Sequence, residues 1–220
     1  MDLCAILIAN VFMNCWEALV VSVGKFSSER NSETNWKKSV ILYLQDLIYM
    51  LMGIFLVFLL FFRVIVVSGD SMYSTLLDGD YLLLLGNVFY QEPEYGDIVV
   101  ISKDSFDHGS PIVKRVIATE GQTVDIDFEN GIVYVDAVAL NEPYINSLTT
   151  MNEGNSFPLV VEENSIFVLG DNRGVSRDSR DPVIGQVDKR EILGRAIFLM
   201  VPGTSHGNLP RDIGRIGAIK

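Results

Sequence analysis

Residues 123–135 read Thr-Val-Asp-Ile-Asp-Phe-Glu-Asn-Gly-Ile-Val-Tyr-Val, a stretch that indicates β-structure. Two runs with many β-branched residues, 123–128 and 132–135, flank the dipeptide Asn130-Gly131. This dipeptide is typical of a two-residue hairpin turn, because both residue types tolerate a positive φ. The sequence therefore predicts a hairpin in which the two runs pair antiparallel.

Similar short runs recur throughout the chain after residue 68, where Gly, Asn, Asp and Pro separate them and no helical period is evident. Besides the hairpin, the runs cover residues 81–85, 97–102, 112–119, 157–161, 165–169 and 196–201. About 150 residues of this kind predict a mainly β domain, barrel-like or built of packed sheets.

An apolar segment, residues 47–67, precedes this domain and contains one charged residue, Arg63. A bilayer core of about 30 Å needs roughly 20 helical residues, and a helix that is apolar on every face favours a membrane span. We therefore expect a transmembrane helix, with Arg63 near its end reaching the interface. Three interpretations stay open for another apolar stretch, residues 3–23: a first span, an interfacial helix or a translation-start artefact.

The basic residues predict the orientation of the chain. The segment between the two apolar stretches contains Lys25, Arg30, Lys37 and Lys38. Because basic loops stay in the cytoplasm, we expect residues 68–220 on the other side of the membrane. The predicted parts are residues 1–40, an apolar segment with a cytoplasmic basic loop; 41–67, the transmembrane anchor; and 68–220, an extracytoplasmic β domain.

The composition excludes several classes of function. The chain has 17 basic and 28 acidic residues and a net charge of -11, which excludes a protein that binds nucleic acid by neutralising phosphates. Two cysteines and two histidines exclude a disulfide scaffold and a Cys-rich zinc site, and disfavour a histidine metal centre. We expect no metal, no organic cofactor and no nucleic-acid partner.

Two polar stretches of the β domain contain a pair of candidate reactive groups. Residues 68–76 (SGDSMYSTL) place Ser71 two positions after a glycine, either in a reactive turn or in an ordinary polar turn beside the membrane. Residues 111–118 (PIVKRVIA) place Lys114 between aliphatic residues on one strand face, either desolvated or extended to solvent. A lysine that acts as a base near neutral pH needs its pKa lowered by roughly three units, about 4 kcal/mol.

A third polar stretch, residues 170–180 (GDNRGVSRDSR), follows an apolar run directly. It forms either a local ion-paired structure, with Asp178 and Arg180 as one pair, or a loop that orients a catalytic group. Both histidines, His108 and His206, lie in Gly-containing segments and are expected to be solvated. Without a useful histidine, a Ser–Lys dyad is the nucleophilic chemistry that these residues favour.

These stretches resemble the type I signal peptidases (leader peptidases) of peptidase family S26, in their Gram-positive-like branch. The matching segments, in order, are 69–80 (GDSMYSTLLDGD), 96–100 (GDIVV), 114–117 (KRVI), 170–180 and 192–196 (ILGRA). Five such segments in order at compatible spacing make a highly specific match. The family usually has proline where this chain has Ser74, a departure that loosens the turn, and Gly69 replaces the hydroxyl residue of another branch.

The resemblance implies a signal-peptidase-like β domain that is catalytic and follows an N-terminal transmembrane helix. It implies a membrane-bound serine endopeptidase that cleaves signal peptides from exported preproteins. Ser71 would be the nucleophile and, through its backbone N–H, the oxyanion donor; Lys114 would be the general base. Ser176 would orient the lysine, and Asp178 with Arg180 would be structural. The implied partners are preproteins, the lipid bilayer of the plasma membrane and the secretion translocon.

Other hypotheses are less consistent with these residues. A self-cleaving repressor shares the Ser–Lys chemistry, but it has a DNA-binding portion and lacks the membrane span. A signal peptidase of the endoplasmic-reticulum or archaeal type has histidine where this chain has Lys114. The alternative of a different class is a non-catalytic, membrane-tethered β domain that binds export partners, and Ser74 keeps that alternative open.

Overall fold

The computed structural model describes residues 36–106, 109–204 and 211–219. The apolar stretch 3–23, nearly all of the predicted cytoplasmic loop and both histidines lie outside these ranges. The chain divides into two compact units, Met1–Ile54 and Phe55–Lys220, and the boundary falls inside a long helix. The described part of the first unit is helical, and the second unit holds all of the β-structure described below.

Helix α1 (Trp36–Phe61) accounts for most of the predicted apolar segment but begins and ends earlier than predicted. Its residues 38–59 are long and apolar enough to cross a membrane, and they are not buried inside the molecule. The expectation of a helix through residue 67 was wrong, because Phe62–Val66 form a β-strand. Arg63 therefore lies on a strand, where β-branched neighbours favour pairing with another strand, and not at the end of a membrane helix.

The described residues form twelve strands, and the predicted mainly β fold is confirmed. They are β1 (Phe62–Val66), β2 (Tyr81–Gly86), β3 (Ile98–Ile101), β4 (Ile112–Thr119), β5 (Thr123–Asp127), β6 (Ile132–Val135), β7 (Val138–Ala139), β8 (Leu159–Val160), β9 (Ser165–Leu169), β10 (Val187–Asp188), β11 (Ile192–Val201) and β12 (Gly217–Ala218). The predicted runs 112–119, 132–135 and 165–169 coincide with strands, whereas β1, β7, β10 and β12 were not predicted.

Two antiparallel sheets contain all of these strands. The larger sheet has the order β1-β2-β11-β3-β4-β9-β10, with β12 paired to β11. The smaller sheet has the order β7-β6-β5-β8. Sequential strands are often not neighbours, so the segments that the sequence separates are brought side by side on the larger sheet.

The hairpin of β5 and β6 is confirmed, but its turn is longer than predicted. Asp127 pairs with Ile132, which leaves four residues in the loop. The Asp127 carboxylate accepts hydrogen bonds from the backbone N–H groups of Glu129 and Asn130, both at 3.0 Å. Of the two turn residues only Gly131 has a positive φ, of 70°. The aspartate side chain therefore stabilises a wider turn than the Asn-Gly dipeptide alone predicts.

Strand β4 lies where the hydrophobic clusters of this unit meet. Val113 packs in the cluster that contains Met72 and Leu76, and Val116 packs in a second cluster. Ile117 belongs to a third cluster, which the smaller sheet shares. Every side chain in the centre of β4 is consequently buried, including the charged ones.

Candidate active site

Ser71 lies in a long turn, residues 67–80, that connects β1 to β2. Backbone hydrogen bonds close the base of this turn: Val67 N–H donates to Asp80 O at 2.8 Å, and Gly79 N–H donates to Val67 O at 2.9 Å. Gly69, at the start of the turn, has a φ of 88°, which favours glycine. The turn holds Ser71 partly exposed beside the last residues of β1.

The loop 170–180 contacts this turn through backbone atoms. Asn172 N–H donates to Ser71 O at 3.0 Å, and the Asn172 side chain donates to Asp70 O at 3.0 Å. Gly170 allows the close approach, because a Cβ at that position would lie 2.6 Å from Ser71 O and 2.1 Å from Ser176 Oγ. Two of the three predicted polar stretches are therefore in direct contact.

The backbone N–H of Ser71 has no hydrogen-bond acceptor within the ranges that the structure describes. The serine also lines a cleft between residues 65–68, where β1 ends and the turn begins, and residues 111–113, where β4 begins. These residues are mostly aliphatic, and Lys114 follows them directly in β4. An extended peptide in this cleft would pass the Ser71 hydroxyl and could offer a carbonyl oxygen to its N–H.

Lys114 is buried, with 3% of its surface exposed, so the alternative of a lysine extended to solvent is excluded. Among the described residues its Nζ makes no hydrogen bond and no ion pair. Lys114 thus follows the cleft-lining residues of β4 directly, and within the described residues it makes no hydrogen bond to the hydroxyl of Ser71 or Ser176. Ser176 Oγ instead donates a long hydrogen bond, of 3.5 Å, to Arg177 O.

The surroundings of Lys114 shift its protonation equilibrium toward the neutral form. Burial lowers the pKa of Lys114 from 10.5 to about 8. The negative charges of Asp178, Glu153 and Asp171 raise the pKa of Lys114. The positive charge of Arg180 lowers it, as burial does. A substantial fraction of the lysine is therefore unprotonated between pH 7 and 8, as a general base requires.

We expect Lys114→Met to raise the melting temperature at pH 7, because the protonated lysine is unfavourable in the folded protein. Lowering the pKa of Lys114 from 10.5 to about 8 corresponds to roughly 3 kcal/mol. Between pH 8 and 10.5 the unfolded chain binds a proton at this site that the folded chain does not, so wild-type stability rises with pH relative to the variant. The measurement is thermal unfolding of both proteins from pH 7 to 10.5. If the difference in melting temperature between the wild type and Lys114→Met stays constant from pH 7 to 10.5, the lysine is not buried with a lowered pKa.

Asp178 and Arg180 form the ion pair that the sequence suggested. Arg180 Nε donates to Asp178 Oδ1 at 2.8 Å and Nη2 donates to Oδ2 at 2.9 Å, and both side chains are fully buried. Asp178 Oδ2 also accepts the N–H of Gly170 at 3.0 Å. The pair therefore shapes the same loop that contacts the Ser71 turn.

Sequence reasoning did not identify Glu153, which approaches this pair from an irregular segment of the chain. Glu153 Oε1 lies 3.3 Å from Arg180 Nη2, and Oε2 is buried without a hydrogen-bond partner in the described residues. Burial and the neighbouring Asp178 raise the pKa of Glu153. No motif marks this residue, since a single glutamate in a loop gives no periodic or spacing signal.

A second buried ion pair was also missed, between Arg115 and Asp171. Arg115 donates to both carboxylate oxygens of Asp171, at 2.8 and 2.7 Å. Asp171 also accepts the hydroxyl of Thr75, which lies in the turn of Ser71. The sequence signal was available, because Arg115 and Asp171 both lie in the segments of the family resemblance, but only the structure pairs them.

No group of three or more His, Cys, Asp or Glu side chains in the described ranges has the arrangement of a metal site. The candidate polar groups are instead a partly exposed serine that lines the cleft, a buried lysine of lowered pKa in the strand that borders it and, among the described residues, the unpaired backbone N–H of Ser71. Such a set, on a mainly β domain, defines a candidate site of the serine hydrolase class.

Comparisons with known proteins identify the family within this class. The family model described as signal peptidase, peptidase S26, matches residues 40–201. A signal peptidase I of Bacillus licheniformis is 32% identical over 81% of this chain and 94% of its own length. A signal peptidase I of Bacillus amyloliquefaciens is 33% identical over 80% of this chain and 90% of its own length. The chain belongs to the peptidase S26 family of signal peptidases, and it is a serine endopeptidase.

A crystal structure of a signal peptidase I from Enterococcus faecalis V583 is also similar. It covers 47% of this chain and 96% of its own, at 30% identity and a TM-score of 0.39. Signal peptidase I is a membrane-anchored family, and helix α1, with residues 38–59 apolar enough to span a bilayer, fits such an anchor.

Proposed function

We propose that this signal peptidase removes N-terminal signal peptides from exported preproteins, with Ser71 as nucleophile and Lys114 as general base. The observation that supports the assignment is the burial of Lys114, which lowers its pKa to about 8, in the strand whose preceding residues line the same cleft as Ser71. A neutral amine in that place can accept a proton from a serine hydroxyl, whereas an ordinary lysine cannot at neutral pH.

The reaction proceeds through an acyl-enzyme. Neutral Lys114 takes the proton of Ser71 Oγ while Oγ attacks the scissile carbonyl carbon, and the Ser71 N–H donates to the oxygen that becomes negative. The tetrahedral intermediate collapses, Lys114 gives its proton to the leaving amine, and the mature protein departs. Lys114 then accepts a proton from the attacking water, and that proton returns to Ser71 Oγ when the signal peptide is released as an acid.

The positioning of Lys114 during this cycle falls to the loop 170–180. Ser176 is proposed to orient the lysine, since its hydroxyl lies beside Gly170 and, among the described residues, makes only a long bond to Arg177 O, which it can exchange. Asp178 and Arg180 are proposed to keep the loop in place as a structural pair. The negative charge of Asp178 also favours the ammonium that forms on Lys114 in the transition state.

The location proposed for the enzyme is the cell membrane, with the β domain outside the cytoplasm and the bilayer and the secretion translocon as partners. The basic residues Lys25, Arg30, Lys37 and Lys38, before helix α1 and in its first turn, support this orientation. An anchored enzyme would meet its substrates directly, because the apolar segment of a signal peptide lies in the same bilayer.

The decisive experiment is cleavage of a purified model preprotein whose signal peptide ends in an Ala-X-Ala pattern. We expect one cut, directly after the second alanine, and a kcat/KM that rises with pH to a plateau with a limb near pH 8, set by the pKa of Lys114. The control is the same preprotein with phenylalanine as the last residue of the signal peptide, which should not be cut. Absence of any cleavage would support a non-catalytic domain, and a limb near pH 10 would exclude a buried lysine as base.

A further inference from the structure

The segment 211–219, which lies beyond the part of the chain that the family model matches, returns to the larger sheet. Strand β12 pairs with β11, and Ile219 N–H donates to Ile197 O at 3.1 Å. The side chain of Ile219 packs against the cluster that contains Met72 and Leu76 of the Ser71 turn. The C-terminal segment is therefore part of the surroundings of the nucleophile turn.

Arg215, in this segment, makes three hydrogen bonds to the Ser71 turn. Its Nη1 donates to Asp80 Oδ1 at 2.9 Å, and its Nη2 donates to Asp80 Oδ2 at 2.7 Å. Nη2 also donates to Thr75 O at 3.2 Å. One planar guanidinium thus connects the middle of the turn to its end, a geometry that lysine cannot reproduce.

Asp80, the partner of Arg215, is fully buried and collects donors from several parts of the chain. Besides Arg215, its carboxylate accepts Leu77 N–H at 2.8 Å and Gly203 N–H at 2.6 Å. Gly203 touches the turn directly, because a Cβ there would lie 2.0 Å from Asp78 O. The end of the turn, at Asp78 and Asp80, is thus held by the C-terminal part of the chain.

We propose that Arg215 is a positioning residue of this enzyme, which holds the turn so that Ser71 faces the cleft. The loop 170–180 contacts the turn at Asp70, Ser71 and Thr75, and Arg215 contacts it at Thr75 and Asp80. Loss of the Arg215 contacts lets the serine move relative to Lys114, and displacements of about 1 Å can lower a rate by about 100-fold. The inference rests on the proposed role of Ser71 as nucleophile.

The test is the kinetics of preprotein cleavage by Arg215→Met and Arg215→Lys, with Arg211→Met as the matched control. Arg211 is an exposed arginine of the same segment. At a temperature well below the melting point of each variant, we expect kcat of Arg215→Met to fall about 10-fold or more, with KM within about twofold. Arg215→Lys should recover part of kcat, since it keeps one charged donor for Asp80. The pH limb set by Lys114 should stay in its wild-type place, because Arg215 acts on the turn and not on the base.

Several results would overturn the inference. If Arg215→Met melts earlier but keeps the wild-type kcat per folded molecule, Arg215 is structural only. If Arg215→Met does not fold, Arg215→Lys changes the same contacts more mildly, and a wild-type kcat in that variant would equally contradict the proposal. Failure of the proposed function is distinct from these outcomes, since it appears as a wild-type protein that does not cleave or as a Ser71→Ala variant that does.

Discussion

Ser71→Ala is expected to lower kcat/KM for preprotein cleavage by a factor on the order of 10⁴ or more, because no acyl-enzyme can form without the hydroxyl. Lys114→Met should have an effect of similar size, since the methionine fills the same buried space but accepts no proton. Rates of cleavage of a model preprotein, measured with excess enzyme, give both values. Ser74→Ala is the matched control: this serine is exposed in the same turn, and we expect a change of no more than a few-fold.

The double variant, Ser71→Ala with Lys114→Met, sharpens this prediction. If the two residues act as one unit, the double variant should lose hardly more activity than either single variant. If the fold-losses of activity in the two single variants multiply in the double variant, Ser71 and Lys114 have independent roles. Near wild-type turnover in either single variant would exclude the dyad, whatever the family of the protein.

Arg180→Met is expected to lower the free energy of unfolding by about 3–5 kcal/mol, the largest effect on stability that we predict. The guanidinium of Arg180 is fully buried and binds Asp178 with two hydrogen bonds. It also donates to three backbone carbonyls, those of Met151, Arg173 and Ser176. Its removal leaves a buried carboxylate and these carbonyls without their donor, and the cost of unpaired buried groups is high.

The matched control for this prediction is Arg177→Met in the same loop. Arg177 also pairs with an aspartate, Asp181, but its side chain is 57% exposed. Exposed pairs contribute between about 0 and 1 kcal/mol, so this variant should unfold nearly like the wild type. Chemical denaturation of the two variants measures both values, with Arg180→Lys as a milder change if Arg180→Met does not fold. Equal losses of unfolding free energy in Arg177→Met and Arg180→Met would show that burial does not determine how strongly these ion pairs stabilise the protein.

Much of the β domain could be predicted from local sequence. Strand β4 coincides with its predicted run, 112–119, because β-branched and aliphatic residues bounded by a proline and a glycine favour a strand in any surroundings. The same run left two possibilities for Lys114, desolvated or extended to solvent, and the packing of β4 decides for burial. The end of helix α1 at Phe61 did not follow, since residues 47–67 have one uniform hydropathy and only the pairing of β1 with β2 distinguishes strand from helix.

The sequence by itself determined the candidate reactive groups of this protein: a serine two positions after a glycine, a lysine inside an apolar run and the order of five family segments. These features are local, so propensity and motif spacing are sufficient to find them. Only the tertiary structure decided what holds these groups in place. Arg115 pairs with Asp171 across 56 positions of sequence and Arg215 with Asp80 across 135, because antiparallel pairing brings distant strands side by side. Which charges meet in a buried site depends on that topology, and no local pattern of residues encodes it.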